Sequence, residues 1–133
     1  MWSSNVADKK AVFVDPNGVL WGVNAVYHPV SKRYLITVRH NTNGGWGIFD
    51  APEPWGPWTT VGYYESSFFG AGNISASTFF WNFSNKWLSA DGKTFRLIFT
   101  GIGDNDSWNV VRGNFTLGLF TSGFESGDSS DWN

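Results

Sequence analysis

The chain has 133 residues, enough for one modest domain with a hydrophobic core. Charged residues make up only 15% of it, the formal net charge is −2 and no basic run occurs, so we expect no nucleic-acid partner. Cysteine is absent, which excludes disulfides and thiolate metal sites. Because no apolar run approaches the roughly 18 residues of a membrane span, we also expect no membrane partner.

Aromatic residues make up 19% of the chain and include nine tryptophans, and glycine is frequent with 16 residues. Large flat side chains with many glycines suit stacked β-sheets joined by short turns. Tryptophan rings also pack on the C–H groups of sugars. We nevertheless expect most of these rings to lie in a core between sheets.

The hydrophobic pattern along the chain has a period of two rather than 3.6, which predicts strands. The first predicted strand is short, at 11–14. Longer strands are then predicted over 21–28, 34–40, 46–50 and 57–64, and later over 79–88, 94–100 and 107–117, with 118–121 as a further candidate. Turn residues such as Asn17-Gly18 and Asp91-Gly92 separate them and suit tight turns.

The second half of the chain repeats the first at an offset of about sixty residues. Three aromatic pairs mark the register, at offsets from 60 to 62: Trp21 with Trp81, Tyr34 with Phe95, and Trp46 with Trp108. Repeats of about 40 to 60 residues built from short strands are typical of propeller blades. The repeat therefore predicts an all-β fold of two antiparallel four-stranded blades.

Two blades cannot close a ring, so we expect this chain to be a fragment of a larger β-propeller, with Met1 as an internal start. The predicted parts are the outer strand of a preceding blade and its loop (1–20), a first blade (21–64), a second blade (65–121), and a linker or the start of a following module (122–133). We expect missing blades of the parent chain, or self-association, to cover the flanks at 34–38 and 95–99.

Two stretches resemble a known family. Residues 47–58, which include Gly56-Pro57-Trp58, are similar to the outer hairpin of glycoside-hydrolase-like five-bladed β-propellers, a family with DUF4185-like bacterial proteins. Residues 85–101 and 107–112 look like the last blade of the same family. Residues 124–128 are similar to the opening of bacterial sugar-binding jelly-roll modules. The resemblance implies that the chain is a fragment of a five-bladed β-propeller, within a secreted, multi-modular protein that has a carbohydrate partner.

Propeller topology implies that ligand-binding loops gather on one face, near the channel where the first strands of the blades converge. The polar residues that the loops place on this face include Asp15 and Asn17. Asp50 and Glu53 fall on the opposite face, where we expect turn formers or solvated charges. The residues predicted to bind substrate are Trp21, Asn24, Arg39, His40, Trp81, Asn82 and Asp104.

Glu65 is the predicted catalytic residue, as a general acid, because it begins the longest loop. Phe68 and Phe69 in that loop would desolvate a carboxylic acid and so raise its pKa. A solvated loop glutamate is the alternative. Glycoside hydrolysis also needs a second carboxyl group about 5 to 9.5 Å away, and the sequence shows none on a matching strand.

The sequence therefore predicts a carbohydrate-active propeller fragment, which binds or hydrolyses polysaccharide as part of a larger secreted bacterial protein. Whether it is an enzyme stays open. The alternative is a non-catalytic propeller module for display or protein interaction. No spacing of histidines and carboxylates indicates a metal, and no glycine motif indicates a phosphate-bearing cofactor, so we expect neither.

Overall fold

The computed structural model describes residues 3–20, 22–40, 45–64, 79–101 and 108–115. Within them, two antiparallel sheets of four and three strands make up the fold, and the helices are two short 3₁₀ turns, at Val6–Asp8 and Asn85–Trp87. The predicted all-β class is confirmed. Among these residues no helix is long and apolar enough to span a membrane.

The first sheet is a simple meander in which each strand pairs with the next one along the chain, in the order β1-β2-β3-β4. Its strands are β1 (Asn24–His28), β2 (Arg33–His40), β3 (Gly45–Ala51) and β4 (Thr59–Tyr64). They match the four strands predicted for the first repeat to within three residues at each end.

The second sheet has three described strands in the order β5-β6-β7: β5 (Phe79–Phe83), β6 (Thr94–Thr100) and β7 (Asn109–Asn114). The strand predicted over 79–88 is shorter in the structure. Phe80 has a φ of 57°, the pairing of β5 with β6 shifts register after Phe79, and a 3₁₀ turn follows at Asn85–Trp87. The predicted strand at 118–121 lies outside the described residues.

The segment predicted as a strand at 11–14 forms no strand in the structure. Residues 11–20, which we call the N-terminal arm, lie instead against the first sheet and are held mainly by side chains. The ring of Phe13 packs on Phe49 with centroids 4.6 Å apart, and it meets the ring of Trp58 edge-on. The backbone N–H of Leu20 donates to the Arg39 carbonyl at 2.8 Å.

A hydrophobic core fills the space between the two sheets. It combines Val26, Leu35, Trp46 and Ile48 of the first sheet with Trp81, Phe83, Phe95, Leu97, Phe99 and Phe115 of the second-sheet region. A hydrogen bond joins the sheets directly, since the hydroxyl of Thr37 donates to the carbonyl of Trp81. Burial of this much aromatic and aliphatic surface is the main force that holds the sheets together.

The first sheet is covered on its other face as well. Ile36, Val38 and Phe49 form a second cluster there, packed against Phe13, Trp58 and Tyr63. The apolar positions of the flanks at 34–38 and 95–99 therefore have neighbours within the chain, and the expectation that missing blades or self-association cover these flanks stays a prediction. The N-terminal arm covers the first flank, and the first sheet covers the second.

His28 links the turn after β1 to the turn before β6. Its Nδ1 accepts from the Ser31 backbone N–H at 3.1 Å and lies 2.8 Å from the Ser31 hydroxyl. These partners assign the proton to Nε2, which donates to the Gly92 carbonyl at 2.9 Å. The buried imidazole thus has hydrogen-bond partners on both nitrogens.

A substitution at Gly92 tests how tightly the His28 ring packs against the turn before β6. Its φ is 70°, and a Cβ there would lie 2.7 Å from His28 Cε1 and 2.8 Å from Val30 Cβ. We expect Gly92→Ala to lower the free energy of unfolding by about 1 kcal/mol for the left-handed backbone and by roughly 1–3 kcal/mol more for overpacking. Urea denaturation monitored by tryptophan fluorescence measures the change.

Gly18→Ala is the matched control. Gly18 also has a left-handed backbone, with a φ of 93°, but a Cβ there would meet nothing within 4 Å. It should therefore show only the backbone cost of about 1 kcal/mol. Equal losses in the two variants would contradict a tight contact between Gly92 and His28.

Candidate functional site

Three of the predicted site residues, Trp21, Glu65 and Asp104, lie outside the described residues. The predictions that Glu65 is catalytic and that Trp21 and Asp104 bind substrate therefore stay predictions. The other predicted residues lie in four places. Trp81 is in the core, Asn24 begins β1, Asn82 is on the outer face of the second sheet, and Arg39 and His40 end β2.

Trp81 lies in the core. Its ring stacks on Trp46 on one side, with centroids 5.2 Å apart, and on Phe99 on the other, with centroids 3.9 Å apart. Because both faces of the ring are covered, no face remains for a sugar. The observed role of Trp81 is to join the two sheets.

The two predicted asparagines are on different sheets. Asn24 begins β1 opposite Thr37, and its Oδ1 is buried without a hydrogen-bond partner among the described residues. Asn82 lies in β5 opposite Ile98, and its side-chain amide donates to the Phe80 carbonyl at 2.8 Å. The structure therefore does not bring them into one site.

The end of β2 carries the residues that do come together. His40 is buried, and its ring stacks on Tyr63 of β4 with centroids 4.0 Å apart and planes 9° apart. The Tyr63 hydroxyl donates to Asp15 Oδ1 at 2.9 Å, and the Asn17 side-chain amide donates to the Tyr63 oxygen at 2.7 Å. We call Asp15, Asn17, His40 and Tyr63 the arm cluster.

The arm cluster combines a carboxylate, a phenol and an amide in one hydrogen-bonded network. Asp15 is largely buried, and its Oδ1 also accepts the Asn17 backbone N–H at 2.8 Å. Asn17 is exposed, so the network reaches from the interior to the surface. Such groups donate and accept hydrogen bonds with hydroxyl groups of a ligand. Arg39, the neighbour of His40, fixes the far end of the arm through its carbonyl.

Sequence reasoning placed Asp15, Asn17, Arg39 and His40 on one face, and the structure brings them to the same end of the first sheet. It missed Tyr63, which joins the others. Tyr63 lies opposite Gly47 in the ladder, which places it on the same face as Phe49, whose ring fills the space that a Cβ at Gly47 would need. This signal appears only once the register of β3 and β4 is known.

Other polar groups add little to the site. Among the described residues, no group of three histidines, aspartates or glutamates could hold a metal ion. Asp91, which precedes β6, closes a turn by accepting from the Ser89 hydroxyl at 2.5 Å and the Lys93 N–H at 3.0 Å. Its role in the structure is therefore that of a turn former.

Asp50 is not the solvated charge that the sequence predicted. It is fully buried, pairs with Arg33, and accepts from the Thr59 hydroxyl at 2.5 Å. The reason is that β3 runs to Ala51, so Asp50 lies within the ladder between Leu35 and Thr59 rather than in the turn. Glu53, in the turn itself, is exposed as predicted.

Comparisons with known proteins add no identification. No protein-family model, curated protein or solved structure matches this chain.

Asp50 yields a prediction of pH dependence. Burial raises its pKa above the usual 3.8, although the hydrogen bonds from Arg33 and Thr59 oppose the rise. The folded protein then holds this proton more tightly than the unfolded chain does. Its contribution to the free energy of unfolding is fully present below the unfolded-state pKa and is lost as the pH rises through the folded-state pKa. The stability difference between wild type and Asp50→Asn should therefore shrink as the pH rises from 3.8.

Asp91→Asn should show the opposite trend in the same denaturation series. The hydrogen bond from Ser89 lowers the pKa of the exposed Asp91 carboxyl. Its contribution is present above the unfolded-state pKa and is lost as the pH falls.

For Asp50, the opposite outcome would contradict the prediction. A wild-type advantage over Asp50→Asn that grows with pH would show that the Arg33 pair, and not burial, dominates at Asp50.

Proposed function

We propose that this chain is a carbohydrate-binding part of a β-propeller, and that the arm cluster contributes to its sugar site. The observation that carries the proposal is the network of Asp15, Asn17 and Tyr63, which presents hydrogen-bonding groups at one end of a rigid sheet. Sites built on packed strands hold their polar groups in fixed positions, as recognition of sugar hydroxyls requires.

The stacking of the sheets supports the propeller part of the proposal. The sequence repeat pairs Ile36 with Leu97, Val38 with Phe99, and Phe49 with Val111. The first member of each pair faces away from the second sheet, whereas the second member packs toward the first sheet. Equivalent residues thus point the same way along the stack, as in successive blades around a ring. A two-fold sandwich would place equivalent residues face to face.

The arm cluster lies on the face of the sheet where propeller topology predicts ligands, with Tyr63 on β4, the strand farthest from β1. The end of β2, the start of β3 and the arm that precedes β1 meet at one end of the first sheet, where blade-to-blade loops would border a central channel. Vicinal sugar hydroxyls are bound by carboxylates and amides, and the arm cluster offers one of each beside a phenol. This chemistry favours a carbohydrate over an apolar ligand.

The proposal is confined to binding. Glycoside hydrolysis requires two carboxyl groups, and the arm cluster contains one, Asp15. On the resemblance to bacterial propellers, we propose that the protein is secreted and that polysaccharide is its partner. An interaction platform is the second candidate, because the second sheet exposes Trp108 and Val110 on its outer face.

A glycan array followed by titration of the best ligand tests the proposal. We expect Tyr63→Phe, which keeps the ring on His40 but removes the hydroxyl between Asp15 and Asn17, to weaken binding about tenfold, the effect of one lost hydrogen bond of about 1.4 kcal/mol. Asn17→Ala should weaken binding to a similar extent.

Tyr27→Phe is the matched control, since Tyr27 is a half-exposed tyrosine of β1 whose ring contacts Tyr34 at a tilt, away from the arm cluster. Its affinity for the ligand should stay at the wild-type value. Absence of binding to any class of glycan would overturn the proposal. So would equal affinity of wild type and Tyr63→Phe, measured on variants whose melting temperatures show them to be folded.

A further inference from the structure

A cleft lies between the start of the described chain and the turn that joins β3 to β4. Residues from Ser3 to Val12 line one side of it, and Trp55 lines it from the turn. Its volume is about 1230 Å³, whereas pockets for small molecules usually measure about 300–1,000 Å³. The cleft is therefore large enough for a ligand made of several linked units.

The apolar side chains of the cleft are exposed. Val6 is 75% exposed, and Val12 and Trp55 are each 56% exposed. An exposed apolar surface with a polar rim is typical of a binding site. The Trp55 indole offers the largest of these surfaces, a rigid flat ring of the kind that packs on the C–H groups of sugars.

The charged groups of the cleft are mainly basic, although the chain as a whole has a net charge of −2. Lys9 and Lys10 line the cleft and form no salt bridge among the described residues. Asp8 also lines it, and its carboxylate accepts from the Ser3 hydroxyl at 2.6 Å. Glu53, two residues before Trp55, does not line it. Two ammonium groups against one carboxylate give the cleft an excess of positive charge.

We propose that this cleft binds an acidic polysaccharide, such as a chain of uronic acids. The Trp55 ring packs on the face of one sugar, and Lys9 and Lys10 bind carboxylates of the sugar chain. Ser4 and Asn5, which also line the cleft, add a hydroxyl and an amide that suit sugar hydroxyl groups. The inference rests on the proposed carbohydrate-binding function, to which it adds a second site and the charge of the sugar.

The ligand class follows from the combination of these groups. An apolar ligand would leave both ammonium groups without an anion, and a neutral sugar would use the ring and the hydrogen-bonding groups alone. A small inorganic anion would use the lysines but not the ring of Trp55. An acidic sugar chain engages all three kinds of group, and its length suits the volume of the cleft.

The cleft is separate from the arm cluster, because the two lie at opposite ends of the first sheet. Trp55 follows the end of β3 at Ala51, whereas Tyr63 lies opposite Gly47 near the start of that strand. At about 3.3 Å per residue, β3 rises about 13 Å between Gly47 and Ala51. A substitution in one site therefore leaves the side chains of the other in place.

Isothermal titration of the 133-residue chain with two tetrasaccharides tests the inference, one of galacturonic acid and one of galactose. We expect the acidic tetramer to bind at least tenfold more tightly than the neutral one at about 0.1 M salt. This preference should mostly disappear at about 1 M salt, because the Debye length falls from about 10 Å to about 3 Å.

Two tryptophan variants test the role of the ring. Trp55→Ala should weaken binding of the acidic tetramer about tenfold. Trp108→Ala is the matched control, since it removes a 70% exposed tryptophan that directly precedes β7 and does not line the cleft. Its affinity for the acidic tetramer should equal that of the wild type.

Two pairs of lysine variants separate the cleft from the charge of the whole chain. Lys9→Gln with Lys10→Gln should remove the preference for the acidic tetramer. Lys32→Gln with Lys86→Gln lowers the net charge by the same amount at two exposed lysines outside the cleft, and should keep the preference. All four lysines are exposed, so thermal melts should show both double variants folded.

Four results would overturn the inference: no binding of the acidic tetramer, equal affinity for both tetramers at low salt, equal effects of the two lysine pairs, or no effect of Trp55→Ala. Tyr63→Phe distinguishes this inference from the proposed arm site, because it should leave binding of the acidic tetramer unchanged. If Tyr63→Phe weakens that binding and Trp55→Ala does not, the cleft is refuted and the arm cluster stands as the sugar site.

Discussion

The stack of aromatic rings between the sheets is the interaction on which the rest of the structure depends. Rings of Tyr64, Trp46, Trp81 and Phe99 follow one another with centroids 5.4, 5.2 and 3.9 Å apart, and so run from β4 through β3 and β5 to β6. Large offset-stacked rings bury much surface and fix the distance and angle between the elements that carry them. The stack therefore sets the relation of the two sheets, and with it which faces stay free.

Much of the fold follows from local pattern, and the exceptions have physical reasons. Alternation and turn residues predicted the strands, because each antiparallel hairpin pairs neighbours in the chain. The segment 11–14 alternates in the same way, but Phe13 makes its contacts with Phe49 and Trp58 through its ring rather than through a strand ladder. A periodic pattern reports which side chains are buried and does not report whether the backbone pairs. The early end of β5 depends likewise on the 3₁₀ turn that follows at Asn85–Trp87.

The candidate site could be predicted only in part, again because the sequence pattern does not report how the strands pair. Topology placed Asp15 and His40 at one end of the first sheet, but Tyr63 and Tyr64 are adjacent and face opposite sides. Which tyrosine meets the arm depends on the register of β4, where a shift of one residue would exchange them. Asp50 shows the same sensitivity, since a single additional residue in β3 moves it from a turn into a buried ladder.

The N-terminal arm has a consequence for biosynthesis. Asp15 leaves the ribosome 48 residues before Tyr63, its partner across the first sheet. At translation rates of about 5–20 residues per second, this gap lasts roughly 2 to 10 seconds. During this interval the hairpin of β1 and β2 can already pair, while Ile36 and Val38 still lack Trp58 and Tyr63, which are synthesised later and complete the cover of this face. The nascent chain therefore exposes an apolar face for several seconds, at the stage when a ribosome-associated chaperone would have the most effect on its yield.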